Sequence, residues 1–399
     1  MQKPQGYQRT YFYGFLLFVF LVPLHQALSS GWLVILAVAA IIPQGRLRLA
    51  LTIFKRSWDV GIYLLVLLLG LTYSTDKATG LGVVETSLSL LALSLVVHRL
   101  GDFNRDMLRQ VFMAFAGGLT VASLVCLIHA ALRFSQGSGT EVFFFYELTG
   151  IINSHPTYFA YYLIAALTFG TYLLYEKSRL SRWVIVIVLL FLFGVLLLTG
   201  GLTAWVSILY VFAFFVLRFM LDPNMREHRL ALFTVVAMVA AMFAFNELRN
   251  RDPSGFVMDD SWERLTLWEA ALQAAPVSAW GVGTGDYRKV LNDYYVAHGM
   301  QAYADSNLNA HNQFIETYVA NGLVGLAVLA LMLLRPLYLA VQSGNTLGAL
   351  IFFPFLIYGM TEVILGRYQG VVFFALMDHC FVAYHYGLRP AFTLKPVLK

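Results

Sequence analysis

Long apolar stretches separated by short polar joints run through most of the chain. Tyr63–Leu71, Val184–Leu198 and Val324–Leu334 show the pattern. A helix needs about 20 mostly apolar residues to cross the hydrocarbon core of a bilayer. In lipid every backbone N–H and C=O must be satisfied within its own segment, which makes such stretches helical. The pattern predicts an all-α polytopic membrane protein with about twelve spans, at 11–28, 31–44, 58–74, 80–98, 108–132, 156–175, 183–199, 202–220, 229–247, 311–334, 346–364 and 368–386. The second span is short, and the first two are placed to form a tight helical pair. Ser29-Ser30-Gly31, Thr199-Gly200-Gly201 and Gly366 supply breaks between hairpin partners. The first apolar run has no small-residue cleavage site behind it and reads as a span, not a signal peptide.

One polar interruption is long enough to hold structure of its own. It divides the chain into 1–247 with nine spans, a loop at 248–310, three more spans at 311–388 and a tail at 389–399. In the loop, Ser261-Trp262-Glu263-Arg264 followed by Leu265, Leu267, Trp268, Ala271 and Leu272 predicts an amphipathic helix. Asp259, Asp260 and Ser261 suit its N-terminus, and Pro276 ends it. The run Gly281-Val282-Gly283-Thr284-Gly285 follows. It lacks the preceding strand and the following Lys-Ser/Thr of a nucleotide-binding loop, so a tight turn is the simpler reading. No internal repeat or low-complexity tract is present.

Composition sharpens this picture. The chain is 59% hydrophobic and 12% charged, against about a quarter charged in soluble domains. With the N-terminus in the cytoplasm, most of the 27 Lys and Arg residues fall in cytoplasmic joints, as the positive-inside rule requires. An even number of spans returns the C-terminus to the same side. The exceptions concentrate in the long outer loop, which keeps Arg249, Arg251, Arg264, Arg288 and Lys289. The net charge of +5 is scattered among the joints and makes no nucleic-acid footprint. Cys126 and Cys380 both lie within apolar runs, which excludes a disulfide framework or a cysteine metal site.

Candidate chemistry gathers at the outer side. His311, in Ala310-His311-Asn312-Gln313-Phe314-Ile315-Glu316, sits where the loop enters the tenth span. A neutral imidazole there can take a proton from a hydroxyl, and helix N-terminal N–H groups favour an anion. A capping, interfacial polar cluster accounts for the same residues. The loop arginines suit a phosphate, which guanidinium groups grip bidentately. Surface pairing with Asp252, Asp259, Asp260, Glu263 and Asp286 is the competing account. Glu362 and Arg367 at the outer end of the eleventh span, and His155 ahead of Pro156, project to the same side. Glu362 pairing with Arg367 across the turn is their structural alternative. Asp378 and His379 lie deeper and read as packing or pore groups. No H-E-x-x-H spacing or outer carboxylate pair is present, so no metal dependence and no cofactor are expected.

The stretch His311-Asn312-Gln313-Phe314-Ile315-Glu316-Thr317-Tyr318-Val319-Ala320-Asn321-Gly322-Leu323-Val324-Gly325-Leu326 resembles the His-Asn…Gly-Leu-x-Gly-Leu signature of the O-antigen ligase/polymerase superfamily of membrane glycosyltransferases. Arg264…Trp268-Glu269-Ala270-Ala271, Gly281-Val282-Gly283 and Thr361-Glu362 resemble further elements of it in the same order. The resemblance implies a GT-C-like helical fold with a large periplasmic loop in the bacterial inner membrane. It implies a donor glycan on undecaprenyl diphosphate and, in the ligase branch, a lipid A–core oligosaccharide acceptor. By the same resemblance His311 serves as base and Arg264 binds the donor diphosphate; Asn312, Glu362, Arg367 and His155, at the same outer side, are expected to support them. One departure stands out. Relatives carry a Ser-Arg-x-x-Trp pattern at the start of the eighth span, where this chain has Gly201-Leu202-Thr203-Ala204-Trp205. Arg288 or Arg133 is expected to replace the missing arginine. An O-antigen polymerase and a protein oligosaccharyltransferase share the donor and stay open as alternatives. The loop length and the lack of a large C-terminal soluble part favour the ligase. A secondary transporter predicts inverted repeats and a midplane charged site, and the polar residues cluster at the outer face instead.

Overall fold

The computed structural model describes residues 6–42, 46–176, 181–199, 201–222, 228–251, 261–275 and 277–387. Asp252, Asp259, Asp260, Pro276 and the tail 389–399 lie outside the described residues, as do the side chains of Arg249 and Arg251. The described residues are helical throughout the apolar runs. In chain order the helices are α1 Gly6–Leu21, α2 Gln26–Ile41, α3 Arg46–Arg56, α4 Trp58–Tyr73, α5 Lys77–Leu100 and α6 Arg105–Ser135. Then come α7 Phe145–Thr149, α8 Pro156–Tyr175, α9 Arg182–Thr199, α10 Leu202–Leu221, α11 Arg229–Arg251 and α12 Ser261–Ala274. The last are α13 Tyr287–Ala297, α14 Gln301–Asp305, α15 Gln313–Gln342, α16 Thr346–Thr361 and α17 Tyr368–Gly387. Among them, 7 are long and apolar enough to cross a membrane, and α2, α4 and α16 are shorter apolar helices.

Local chemistry sets the helix starts. Asp76 accepts from Thr79 N–H ahead of α5, Asn104 from Met107 N–H ahead of α6, and Asn345 from Gly348 N–H ahead of α16. Each satisfies an N–H that has no partner within its own helix. Pro156 opens α8, where its missing N–H costs nothing.

Two helices form the centre. α8 is buried from Pro156 to Tyr175, and α17 from Gln369 to Tyr384. A helix that is buried all round belongs to the interior of a bundle. Tyr158, Tyr161 and Tyr162 on α8 donate their hydroxyls to the carbonyls of Val363, Ile351 and Gln369, which stitches α8 to α16, α17 and the turn between them. Surrounding helices turn apolar residues outward, such as Leu65, Leu68 and Leu69 on α4 and Trp183, Val184 and Ile187 on α9. That surface suits hydrocarbon. At the end of the bundle opposite the loop, Arg335 of α15 bonds the buried Asp59 of α4 at 2.7 Å. Buried Asp378 and His379 contact each other at 3.2 Å, and His379 donates to the Leu90 carbonyl, which ties α17 to α5.

The long loop carries α12, α13 and α14. Leu267, Ala270, Ala271, Tyr287, Leu291 and Tyr295 close its own small core, which seats on Val319 and Ala320 of α15. A helix, α12, occupies the segment expected to be amphipathic; Leu267 and Ala271 enter this core, while Leu265 and Leu272, expected on the same apolar face, are exposed.

The glycine run is more than a turn. Residues 278–286 cross between α4 and a break in α15 at Gly322, whose φ of 65° and ψ of −161° are open essentially to glycine alone. The break leaves backbone groups without helical partners, and the crossing segment supplies them. Val282 N–H and Gly283 N–H donate to Val319 and Ala320 carbonyls, while Leu323 N–H and Val324 N–H donate to Ser278 and Ala279 carbonyls. On the other flank, Asp286 accepts from Thr75 N–H, Thr75 hydroxyl and Asp76 N–H at 2.7–2.9 Å. Burial pushes this carboxyl up, but those donors outweigh it and hold Asp286 below the usual carboxylate range.

Candidate active site

A cavity of about 600 Å³ opens where the loop meets the bundle. Tyr287 and Arg288 of α13, Tyr63 and Leu67 of α4, and Val83 and Thr86 of α5 line it with the first turns of α15 and the turn after α16. The Asp286 clamp fixes α13 against the joint between α4 and α5, which places Arg288 at the cavity edge.

His311 does not lead the helix. Asn312 is the cap, its side-chain oxygen accepting from Phe314 N–H and Ile315 N–H, while its amide donates to the Met360 carbonyl. His311 sits just outside with a left-handed φ of 43°, held by its N–H on the Asn309 side chain. A non-glycine residue with positive φ is uncommon and stores strain. The strained backbone turns the imidazole away from the helix axis and toward Glu362.

His311 Nδ1 lies 3.4 Å from Glu362 Oε2. Glu362 keeps 9% of its side-chain surface and His311 31%, so the pair has one buried member and one that reaches the cavity. Burial pushes the Glu362 carboxyl up, but the hydrogen bond and charge of His311 outweigh it and hold it below the usual range. An ionised carboxylate there directs the proton of a neutral imidazole to Nδ1 and leaves Nε2 with a lone pair for a hydroxyl. Glu362 therefore pairs with His311 and not with Arg367.

His155 caps α8 through Nδ1, which accepts from Thr157 N–H, and its Nε2 lies 2.7 Å from the Tyr146 hydroxyl. Nδ1 as acceptor assigns the proton to Nε2. Burial lowers its pKa to about 4, the charge of Glu362 opposing. His155 is thus a neutral donor at the cavity wall.

Arg288 and Arg367 line the cavity, and neither guanidinium has an ion-pair partner among the described residues. Arg264 is half-buried on α12, which packs on α13 and α15, and is not among the lining residues. Arg133, at the end of α6, pairs with Glu147 at 2.7 Å and also stays outside the cavity. The structure thus brings together His155, Arg288, His311, Glu362 and Arg367. At the start of α10, Thr203 bonds Thr361 at 2.8 Å, next to Glu362.

Several lining residues escape a reading by charge alone. Gln313 accepts from Leu365 N–H and so fixes the turn that carries Glu362 and Arg367. Glu316 lines the cavity with the Tyr287 hydroxyl as a close neighbour. Asn321 donates to the Thr284 hydroxyl, which donates to the Leu67 carbonyl. Gln313, Glu316, Thr317 and Asn321 recur at helical spacing, so a polar face on an otherwise apolar span was the available signal. Tyr158 had none.

An imidazole with an open nitrogen, a buried carboxylate behind it and two unpaired guanidinium groups can hold an anion and deprotonate a hydroxyl beside it. Among the described residues no group of three or more His, Cys, Asp or Glu is placed to hold a metal ion.

Sequence comparison adds to this geometry. An uncharacterized protein of Haemophilus influenzae is 25% identical over 149 residues, covering 35% of this chain and 36% of that protein. The chain thus aligns with about a third of that relative's length. Residues 186–330, which hold the loop, Arg288 and His311, match the family model described as O-antigen ligase, and this match supports placing the chain in the O-antigen ligase family.

Proposed function

We propose that this protein is an O-antigen ligase that moves a glycan from undecaprenyl diphosphate to lipid A–core oligosaccharide at the periplasmic face of the inner membrane. The observation that carries the reading is one cavity faced by the His311–Glu362 pair and by the unpaired Arg288 and Arg367. The donor diphosphate lies between the two arginines. Its polyprenyl chain leaves along the apolar flank at Leu67 and Val83, toward the lipid-facing side of α4 and α5. His311 Nε2 takes the proton of an acceptor hydroxyl as that oxygen bonds to the anomeric carbon. The bond from the anomeric carbon to the diphosphate oxygen breaks, and the electron pair leaves on the diphosphate. A single displacement of this kind inverts the anomeric centre. Arg288 and Arg367 stabilise the charge that develops on the leaving group, an electrostatic role that ranks among the largest in catalysis. Glu362 stabilises the imidazolium that forms.

Arginine substitutions test the assignment of the diphosphate. Arg288→Ala and Arg367→Ala are each expected to raise the KM for the lipid-linked donor by about 10- to 100-fold, the worth of a hydrogen bond to a charged group. Arg264→Ala, outside the cavity, is expected to change it less. Steady-state kinetics on purified protein in liposomes reads all three. A donor KM that moves only in Arg264→Ala would place the diphosphate elsewhere.

A further inference from the structure

A second cavity, of about 390 Å³, adjoins the first, and His155 and Arg367 line both. Gln26 at the start of α2, Tyr146 of α7, Asn153 and Ser154 ahead of α8, and Tyr368 and Gln369 at the start of α17 contribute most of its remaining wall. Its chemistry differs from that of the first cavity. The first has an aliphatic flank of Leu67, Val83, Val363 and Leu365, whereas among the described residues no aliphatic side chain lines the second.

What the second cavity does offer is aromatic rings beside hydrogen-bonding groups. The Tyr146 hydroxyl is committed to His155, and the Gln369 amide donates to the Asn153 carbonyl. The Tyr368 hydroxyl lies 3.3 Å from Ser29. The Gln26 amide, the Ser154 hydroxyl and the Arg367 guanidinium have no hydrogen-bond partner among the described residues. Amide and hydroxyl groups that both donate and accept, set between aromatic faces, match a sugar ring, with its hydroxyl rim and apolar C–H faces. The shared wall leads from this cavity to His311.

We propose that the second cavity is the acceptor subsite: it takes a hexose of the acceptor glycan and presents its hydroxyl past His155 to His311. The proposal rests on the donor reading above, and it adds where the other substrate enters. Sugar recognition falls to Gln26 and Ser154, and Arg367 stands between the two substrates.

The test uses the full-length protein in liposomes, with undecaprenyl-diphosphate-linked glycan as donor and lipid A–core as acceptor. Gln26→Ala and Ser154→Ala are each expected to raise the acceptor KM about tenfold, the worth of one well-made hydrogen bond to a bound ligand. The donor KM and the thermal unfolding midpoint stay at the wild-type values, which separates a lost contact from a damaged fold. Transfer with an unchanged acceptor KM in both variants overturns the subsite and leaves the donor reading standing. A rise in donor KM alone overturns it too, by assigning the cavity to the donor glycan. No transfer by the wild-type chain overturns both readings.

Discussion

His311→Asn is expected to lower kcat for glycan transfer by about 10²- to 10⁴-fold, the usual contribution of a positioned general base. Asparagine is the informative substitution because it tolerates the left-handed backbone found at this position, with φ of 43°. The strain at residue 311 and the Asn309 contact to its N–H are thus kept, and only the imidazole is lost. The donor KM stays near the wild-type value, since Arg288 and Arg367 are untouched. The measurement is kcat and donor KM in liposomes, with the thermal unfolding midpoint as a control. A kcat close to wild type would remove His311 from the reaction.

Gly322→Ala is expected to destabilise the chain by about 2–6 kcal/mol, the sum of a backbone conformation reserved for glycine and of overpacking. An added Cβ would sit 2.4 Å from the Ala279 carbonyl group and 2.5 Å from the Trp280 nitrogen. Both are backbone atoms of the crossing segment, so neither can turn aside. Either the break in α15 or the 278–286 segment must move, and each holds the other through paired backbone hydrogen bonds. Movement of that segment also frees Arg288, two residues beyond its end. Thermal unfolding in detergent should show a clearly lower midpoint and transfer should fall with it. Gly194→Ala is the matched control: its Cβ would meet nothing within 4 Å on α9. It should be neutral or slightly stabilising, by up to about 1 kcal/mol. Equal behaviour of the two variants would contradict the account of the break.

Much of the helical framework can be read from the chain because lipid imposes a single solution on long apolar stretches. Each expected span overlaps a helix, though the first, 11–28, runs across the break between α1 and α2, and a helix follows Ser261 as α12. Among the described residues seven helices meet the length and apolarity needed to cross a membrane; the expected boundary at 74 carries α4 a little beyond its end, and that at 44 lies outside the described residues. The site is legible in part. His155, His311, Glu362 and Arg367 share one feature that sequence exposes: each is polar or charged at the end of an apolar run, where burial demands a reason. They meet at one cavity.

Arginines are harder. Arg264, Arg133 and Arg288 carry equal charge in equally polar surroundings, and only tertiary placement sorts them. Arg288 reaches the cavity because Asp286, two residues earlier, is clamped to Thr75 and Asp76, more than 200 positions away in the chain. Arg133 is occupied by Glu147. The glycine run is the other instructive case. Local turn chemistry explains Gly281 and Gly283, both with positive φ. It does not reveal that their partner is a broken helix about 40 residues downstream, since backbone hydrogen bonds leave no mark on side-chain pattern. The partner signal lay in Gly322, a glycine within an otherwise regular span.

We propose that this cavity holds a lipid-linked diphosphate and passes its glycan to an acceptor hydroxyl. The most direct measurement follows a radiolabelled glycan on undecaprenyl diphosphate in liposomes with the purified protein and lipid A–core, in the presence of a chelator. The predicted result is label on lipid A–core with release of undecaprenyl diphosphate, and no lengthening of lipid-linked glycan when the acceptor is omitted. Label that stays on the lipid, or that moves only into longer lipid-linked glycans, would contradict it.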